Sequence, residues 1–232
     1  MVSSDSGRGR TIVVAMALGA GCVPAPAPVG PNPDLAPAAS EARYVAAGPY
    51  AAGVTTLVVG RRKVEVVYPA DPELATGPTE IADARDALPR SMRSALTPSV
   101  DLTWDTGAHR AAPAAPDGPF PVVLSVHGFF LWRQAQMTLA AHLASWGMVV
   151  ALPDFPEFGV SAIDAGIGAP DTDAILDSVV AALGAENLAT VPGHVLSGAV
   201  DITRLATMGH SFGSLAATGY AAHRPGVRAW VP

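Results

Sequence analysis

The chain has 232 residues, half of them hydrophobic, with 14 Lys+Arg against 20 Asp+Glu and a formal net charge of −6. Such a balance excludes a basic nucleic-acid binder, and the low charge density with high apolar content excludes disorder over most of the length. One cysteine, Cys22, excludes an internal disulfide framework and a cysteine-based zinc site.

The first segment reads as a targeting sequence. Arg8 and Arg10 precede an apolar run, Thr11 to Ala20, that ends in small residues just before Cys22, the layout of a bacterial export signal over residues 1–21. Ten helical residues rise about 15 Å, half of the ~30 Å hydrocarbon core, so the run is too short for an ordinary membrane span. Leu18-Gly19-Ala20-Gly21-Cys22 resembles a lipoprotein signal, with the Leu one place further from the Cys than that pattern expects. The resemblance implies acylation of Cys22; the alternative is a plain secretory signal with an incidental cysteine. Pro24, Pro26, Pro28, Pro31, Pro33 and Pro37, interleaved with Ala, make residues 22–43 a stiff extended tether. Export to the cell envelope is the expected location, with the membrane reached only through the lipid.

From Tyr44 onward short β-rich runs alternate with longer segments. Val54 to Val59 and Lys63 to Tyr68 read as strands, the second as a sheet edge near solvent because Glu65 interrupts its valines. Residues 79–119 form a long excursion, either a lid-like insertion or a disordered loop, with a helix expected around Ile81 to Leu96 and interrupted by Pro89. Pro121 to Val126 and Met148 to Leu152 read as strands buried on both faces. Gln136 to Trp146 has one apolar helical face, and Asp171 caps a helix through Leu183 that Gly184 is expected to end. Leu205 to Met208, Ser211 to Ala222 and Val227 to Val231 then read as strand, helix and strand. Strands alternating with helices predict a doubly wound, mostly parallel α/β sheet over residues 44–232.

Gly209-His210-Ser211-Phe212-Gly213 fits G-x-S-x-G between a strand and a helix. That context demands a sharp turn with room only for glycines two places before and after the serine, and it leaves Ser211 at a helix N-terminus. A second loop, His127-Gly128-Phe129-Phe130, follows the strand that ends at Val126. Both loops open at the carboxyl ends of strands, so the N–H groups of Phe129 and Phe212 are candidates for an oxyanion hole.

These segments, with Val64 to Ala70, Leu143 to Asp154 and Asp201 to Gly213, resemble the serine α/β-hydrolases, and within them the branch that includes platelet-activating-factor acetylhydrolase, chlorophyllase-like and bacterial polyester hydrolases. The likeness runs from about Pro49 to Pro232, and Ser214 stands where a third Gly is common. It implies hydrolysis of a carboxylic ester, small or polymeric, through an acyl-enzyme on Ser211, with no metal or cofactor. In that family the acid and then the base follow the nucleophile. Beyond Ser211 this sequence has one histidine, His223, and no Asp or Glu. His223 lies at the far end of the following helix and is expected to point away from the serine. The expectation is thus a hydrolase domain incomplete at its C-terminus, without turnover of its own.

Other residues read more plainly. His210 is expected to be a packed elbow residue, His127 to brace the oxyanion loop by hydrogen bonding, and Asp154 to fix a loop. Phe129, Phe130 and Trp132 either line an acyl pocket or pack on the core. A non-catalytic envelope binding protein on the same fold is the rival from another class; a dienelactone-type hydrolase or a peptidase is the rival among enzymes.

Overall fold

Two nine-residue strands, β1 (Ala51–Val59) and β2 (Arg62–Ala70), pair antiparallel with Val59 opposite Arg62. That register leaves a two-residue loop, and Gly60 takes φ 62 at its first position, as a tight hairpin of this length requires. The structure is a computed structural model that describes residues 43–190 and 193–232. The export signal, Cys22 and the tether up to residue 42 lie outside the described residues.

The β2 strand is not at an edge. It lies between β1 and β7 (Val149–Pro153), antiparallel to both, and Val64 to Ala70 are all buried. Glu65 misleads because its charge is answered inside the protein: the carboxylate is 1% exposed and accepts from Thr56 Oγ1 (2.7 Å), Arg133 Nε (3.1 Å) and, more distantly, Gln134 Nε2 (3.4 Å). A carboxylate in a strand signals solvent only when no cation is brought to it.

Beyond β7 the sheet is parallel: β6 (Phe120–Val126), β8 (Val200–Gly209) and β9 (Val227–Val231) complete the order β5-β1-β2-β7-β6-β8-β9, with the two-residue β5 (His109–Arg110) beside β1. Side chains alternate between the two faces of the sheet, as the period of two dictates. Val122, Leu124 and Val126 share one core with Leu176, Val179 and Leu183 of α4 (Thr172–Leu188) and Tyr220 of α5 (Phe212–His223). Val123, Val150 and Met208 join Met137, Ala140 and Ala144 of α2 (Met137–Ser145) on the other. Helices on both faces of a mostly parallel sheet are the expected doubly wound α/β architecture.

Two boundaries differ from expectation. Asp171 caps α4 through the Ala174 N–H as anticipated, but Gly184 does not end the helix, which runs on to Leu188. A Cβ at Gly184 would lie 3.1 Å from Ile202 Cδ1, so this glycine serves the close approach of helix to strand β8. The helix anticipated over Ile81 to Leu96 is instead a strand, β3 (Ile81–Asp83), paired antiparallel with β4 (Thr103–Asp105), then a single 3-10 turn, then the short α1 (Arg90–Ala95). Pro89 stands at the start of that helix rather than inside it, where its missing N–H costs nothing. Within residues 79–119 the excursion is thus built of ordered elements.

Candidate active site

The pairing of β6 with β8 brings the two glycine loops together. Val126 is opposite Gly209, so His127 and His210 leave the sheet side by side, and the His210 N–H donates to the Val126 carbonyl (3.1 Å). Ser211 follows at φ 53, ψ −119, a conformation that strains any residue with a Cβ, and it is exposed at the N-terminus of α5. The turn is crowded where the sequence has glycine. A Cβ at Gly209 would lie 2.3 Å from the Gly213 carbonyl oxygen, and one at Gly213 would lie 2.2 Å from that of Val126. Gly128 is equally constrained: its Cβ would meet His210 Nδ1 at 2.8 Å and Ser211 Cβ at 3.3 Å. The oxyanion-loop candidate and the serine therefore touch.

Backbone donors around the serine divide into used and free. In the loop after β6, the Phe130 N–H donates to the Phe158 carbonyl (2.8 Å) and the Leu131 N–H to that of Gly128 (3.2 Å), while the Phe129 N–H has no acceptor among the described residues. At the elbow, the Gly213 N–H donates to His210 O (2.9 Å) and the Ser214 N–H to Ser211 O (2.9 Å), and the Phe212 N–H is likewise free. Both unpaired amides thus belong to the segments that meet at the exposed, strained serine: Phe212 follows Ser211, and Phe129 follows Gly128. The positive end of the α5 dipole falls at the same serine.

Aromatic side chains wall the same spot. The Phe129 ring meets Phe130 (4.4 Å between centroids) and Phe212 (5.6 Å), and Phe212 meets Phe158 (5.1 Å). Phe130, at φ 57, and Phe212 remain partly exposed at the rim. Trp132 instead packs on Trp104 (6.1 Å), where it lines a separate cleft of about 370 Å³ with Arg61, Lys63, Asp86 and Asp154.

The histidines fall in different places. His127 is buried at 2% exposure, with Nδ1 2.9 Å from the Gly128 carbonyl oxygen and Nε2 receiving the Phe155 N–H at 3.0 Å, so it braces the loop. Asp154 also acts there: Oδ1 lies 3.7 Å from His127 Nε2 and Oδ2 lies 3.7 Å from Arg133. Burial alone would raise its carboxyl pKa; the His127 ring and the Arg133 guanidinium outweigh that and hold it below the usual range. His210 is not packed away. It is exposed, because the Gly128 backbone fills the space beneath the turn and leaves the ring above it. His223 pairs with Asp173 (2.8 Å) at the opposite end of α5, His194 with Glu186 and His142 with the Tyr44 carbonyl. The Ser211 hydroxyl has no hydrogen-bond partner among the described residues.

Sequence reasoning missed Glu65, Arg133, Phe155 and Phe158, which hold the loop after β6 and the turn that follows it: Arg133 donates to Glu65, the Phe155 N–H to His127, and the Phe130 N–H to the Phe158 carbonyl. The one available signal was Glu65 itself, a carboxylate inside an apolar run that must find a cation.

A family model described as Chlorophyllase matches residues 110–225, a span holding β6, both glycine loops and α5. No curated protein matches the chain. Among solved structures the chain is similar to the ferulic acid esterase from Streptomyces cinnamoneus, at 22% identity and TM-score 0.48, covering 76% of this chain and 56% of that one. It is also similar to 2,6-dihydroxy-pseudo-oxynicotine hydrolase, at 17% identity and TM-score 0.43, covering 76% of this chain and 34% of that one. The chain thus spans well under two thirds of either structure's length.

Proposed function

The chain belongs to the chlorophyllase family of α/β-hydrolases, and from that premise we propose that it carries the nucleophile and the oxyanion hole of a carboxylic ester hydrolase. Ser211 Oγ attacks the ester carbonyl carbon, and the carbonyl oxygen takes up negative charge between the N–H groups of Phe129 and Phe212. The carbon–oxygen bond to the alcohol breaks, the alcohol leaves with a proton, and water then releases the acid from the acyl-serine. Phe129, Phe130 and Phe212 give the acyl group an apolar wall. Short-acyl, lipid and polyester substrates all satisfy this chemistry.

The observation that carries the reading is the serine at φ 53 between two unspent amides. A binding protein on the same fold has no use for that strain, which costs ~1–3 kcal/mol. The reading assigns no base, since no imidazole is hydrogen-bonded to Ser211 among the described residues. The full-length protein is expected to hydrolyse short-chain p-nitrophenyl esters and to lose that activity in Ser211→Ala. Activity retained in the variant overturns the mechanism. We also propose export with lipidation at Cys22, which a mature N-terminus other than an acylated Cys22 in the mass spectrum overturns.

A further inference from the structure

The cleft of about 370 Å³ beside Trp132 has a wall whose charges are unevenly answered. Arg61, in the hairpin loop, and Lys63, at the start of β2, both line it; both are exposed and pair with no carboxylate among the described residues. Arg133 lines it too. Its Nε donates to the buried Glu65 (3.1 Å), while its terminal nitrogens donate no hydrogen bond among the described residues, the one nearest Asp154 staying 3.7 Å away. Asp154 has its charge met by Arg133 and His127, so Asp86 is the unanswered carboxylate of the wall. Arg62 is spent on Glu157 and on the Asp154 carbonyl. Two unpaired cations and a guanidinium with unspent N–H groups thus face one carboxylate. Such a wall favours an anion, and the planar anion that suits a guanidinium fork is a carboxylate. A volume at the lower end of the ligand-pocket range admits one such group with part of its chain.

The cleft lies at the same end of the sheet as Ser211. Val64 of β2 is opposite Pro153, so Lys63 stands at the carboxyl end of β7, and Ser211 follows the carboxyl end of β8. In the order β2-β7-β6-β8 these two ends are three strand spacings apart, roughly 14 Å at ~4.8 Å each. A single loop reaches both places: Phe129 meets Phe212 at the elbow, and Leu131 and Trp132 line the cleft. We propose that the cleft is a subsite for a carboxylate at the far end of the ester's acyl chain, about ten chain bonds of ~1.5 Å from the scissile carbonyl. The preferred substrates are then half-esters of long dicarboxylic acids, an inference that rests on the reading of Ser211 as the nucleophile. Arg61, Lys63 and Arg133 hold the carboxylate, Trp132 supports the chain, and Asp86 opposes the bound charge.

Matched p-nitrophenyl esters isolate that charge: acyl chains of equal length ending in a carboxylate or in the neutral, equally shaped carboxamide. In the full-length protein the ratio of kcat/KM, carboxylate over carboxamide, is expected to rise about tenfold or more between the succinyl and the dodecanedioyl chain, the effect of one charge-assisted hydrogen bond. Lys63→Met and Arg61→Met are each expected to lower the ratio at the long chain by about threefold to tenfold, and Asp86→Asn to raise it. Because both esters meet the same preparation, the ratio does not depend on how much of a variant folds. A ratio that stays flat with chain length, or that none of the three substitutions moves, overturns the proposal.

Calorimetric titration with dodecanedioate reads the cleft without catalysis. One site is expected, weakened by salt and by Lys63→Met and strengthened by Asp86→Asn. No site, or one indifferent to both substitutions, overturns the assignment of a carboxylate. Binding of the free acid without any preference for acid-ended esters overturns the assignment to the substrate's own end. If the protein hydrolyses no ester at all, the proposed function fails, and the titration alone decides whether the cleft holds a carboxylate.

Discussion

Ser211 concentrates the cost of the site in one residue. Its φ of 53 is one that glycine adopts freely, so Ser211→Gly is expected to raise stability by about 1 kcal/mol in urea unfolding while removing the nucleophile. An unchanged or lowered midpoint would show that the turn is not strained. The flanking glycines behave oppositely. Gly209→Ala and Gly213→Ala place a methyl 2.3 and 2.2 Å from backbone oxygens that cannot swing aside, and each is expected to cost ~1–3 kcal/mol in the same measurement. These positions were legible in the sequence because sterics alone dictate them: a turn this sharp excludes side chains wherever it occurs. The environment of His210 was not, because it depends on how closely a second loop, at Gly128, approaches from another part of the chain.

At the scale of elements, the loop after β6 is held to the sheet by a buried charge. Glu65 on β2 binds Arg133 in the 3-10 turn after the loop, and Arg110 on β5 approaches it at 3.6 Å. Removing Glu65 leaves Arg133 with only the longer contact to Asp154, and removing Arg133 leaves the buried Glu65 with only Arg110 as a cation. Glu65→Leu is therefore expected to destabilise by about 3 kcal/mol, and the double variant Glu65→Leu, Arg133→Met by clearly less than the sum of the two single changes. Additive losses in a double-mutant cycle would show that the pair contributes only packing. The elements themselves were mostly readable, since period-two and helical patterns survive without tertiary knowledge. The errors fell where a distant partner decided the outcome: Glu65 inside the sheet rather than at its edge, and Gly184 accommodating Ile202 rather than ending α4.

For the molecule as a whole, several carboxylates titrate below their ordinary range. Asp201 is lowered from 3.8 to about 2 by hydrogen bonds from Thr203 and Arg204; Asp177 is lowered chiefly by Arg224, and Glu157 chiefly by Arg62. A carboxylate with a depressed folded-state pKa contributes stability that is complete above its unfolded value and lost as pH falls through the folded one. The urea midpoint is accordingly expected to fall between about pH 5 and about pH 2, and Asp201→Asn to flatten the lower part of that decline. An identical acid limb in the variant would remove Asp201 from the account. The acidic balance, the parallel sheet and its topological class were legible at this scale from composition and alternation. The contacts that depress these carboxylates were not, since each partner is set by a local turn or by the packing of one element on another.

The most direct test concerns Ser211 itself. The full-length protein would be treated with a fluorophosphonate and its peptides mapped by mass spectrometry. A single adduct on Ser211, absent from Ser211→Ala, is the expected result. An adduct at another residue, or none at Ser211 in a protein that hydrolyses esters, would contradict the assignment of the nucleophile.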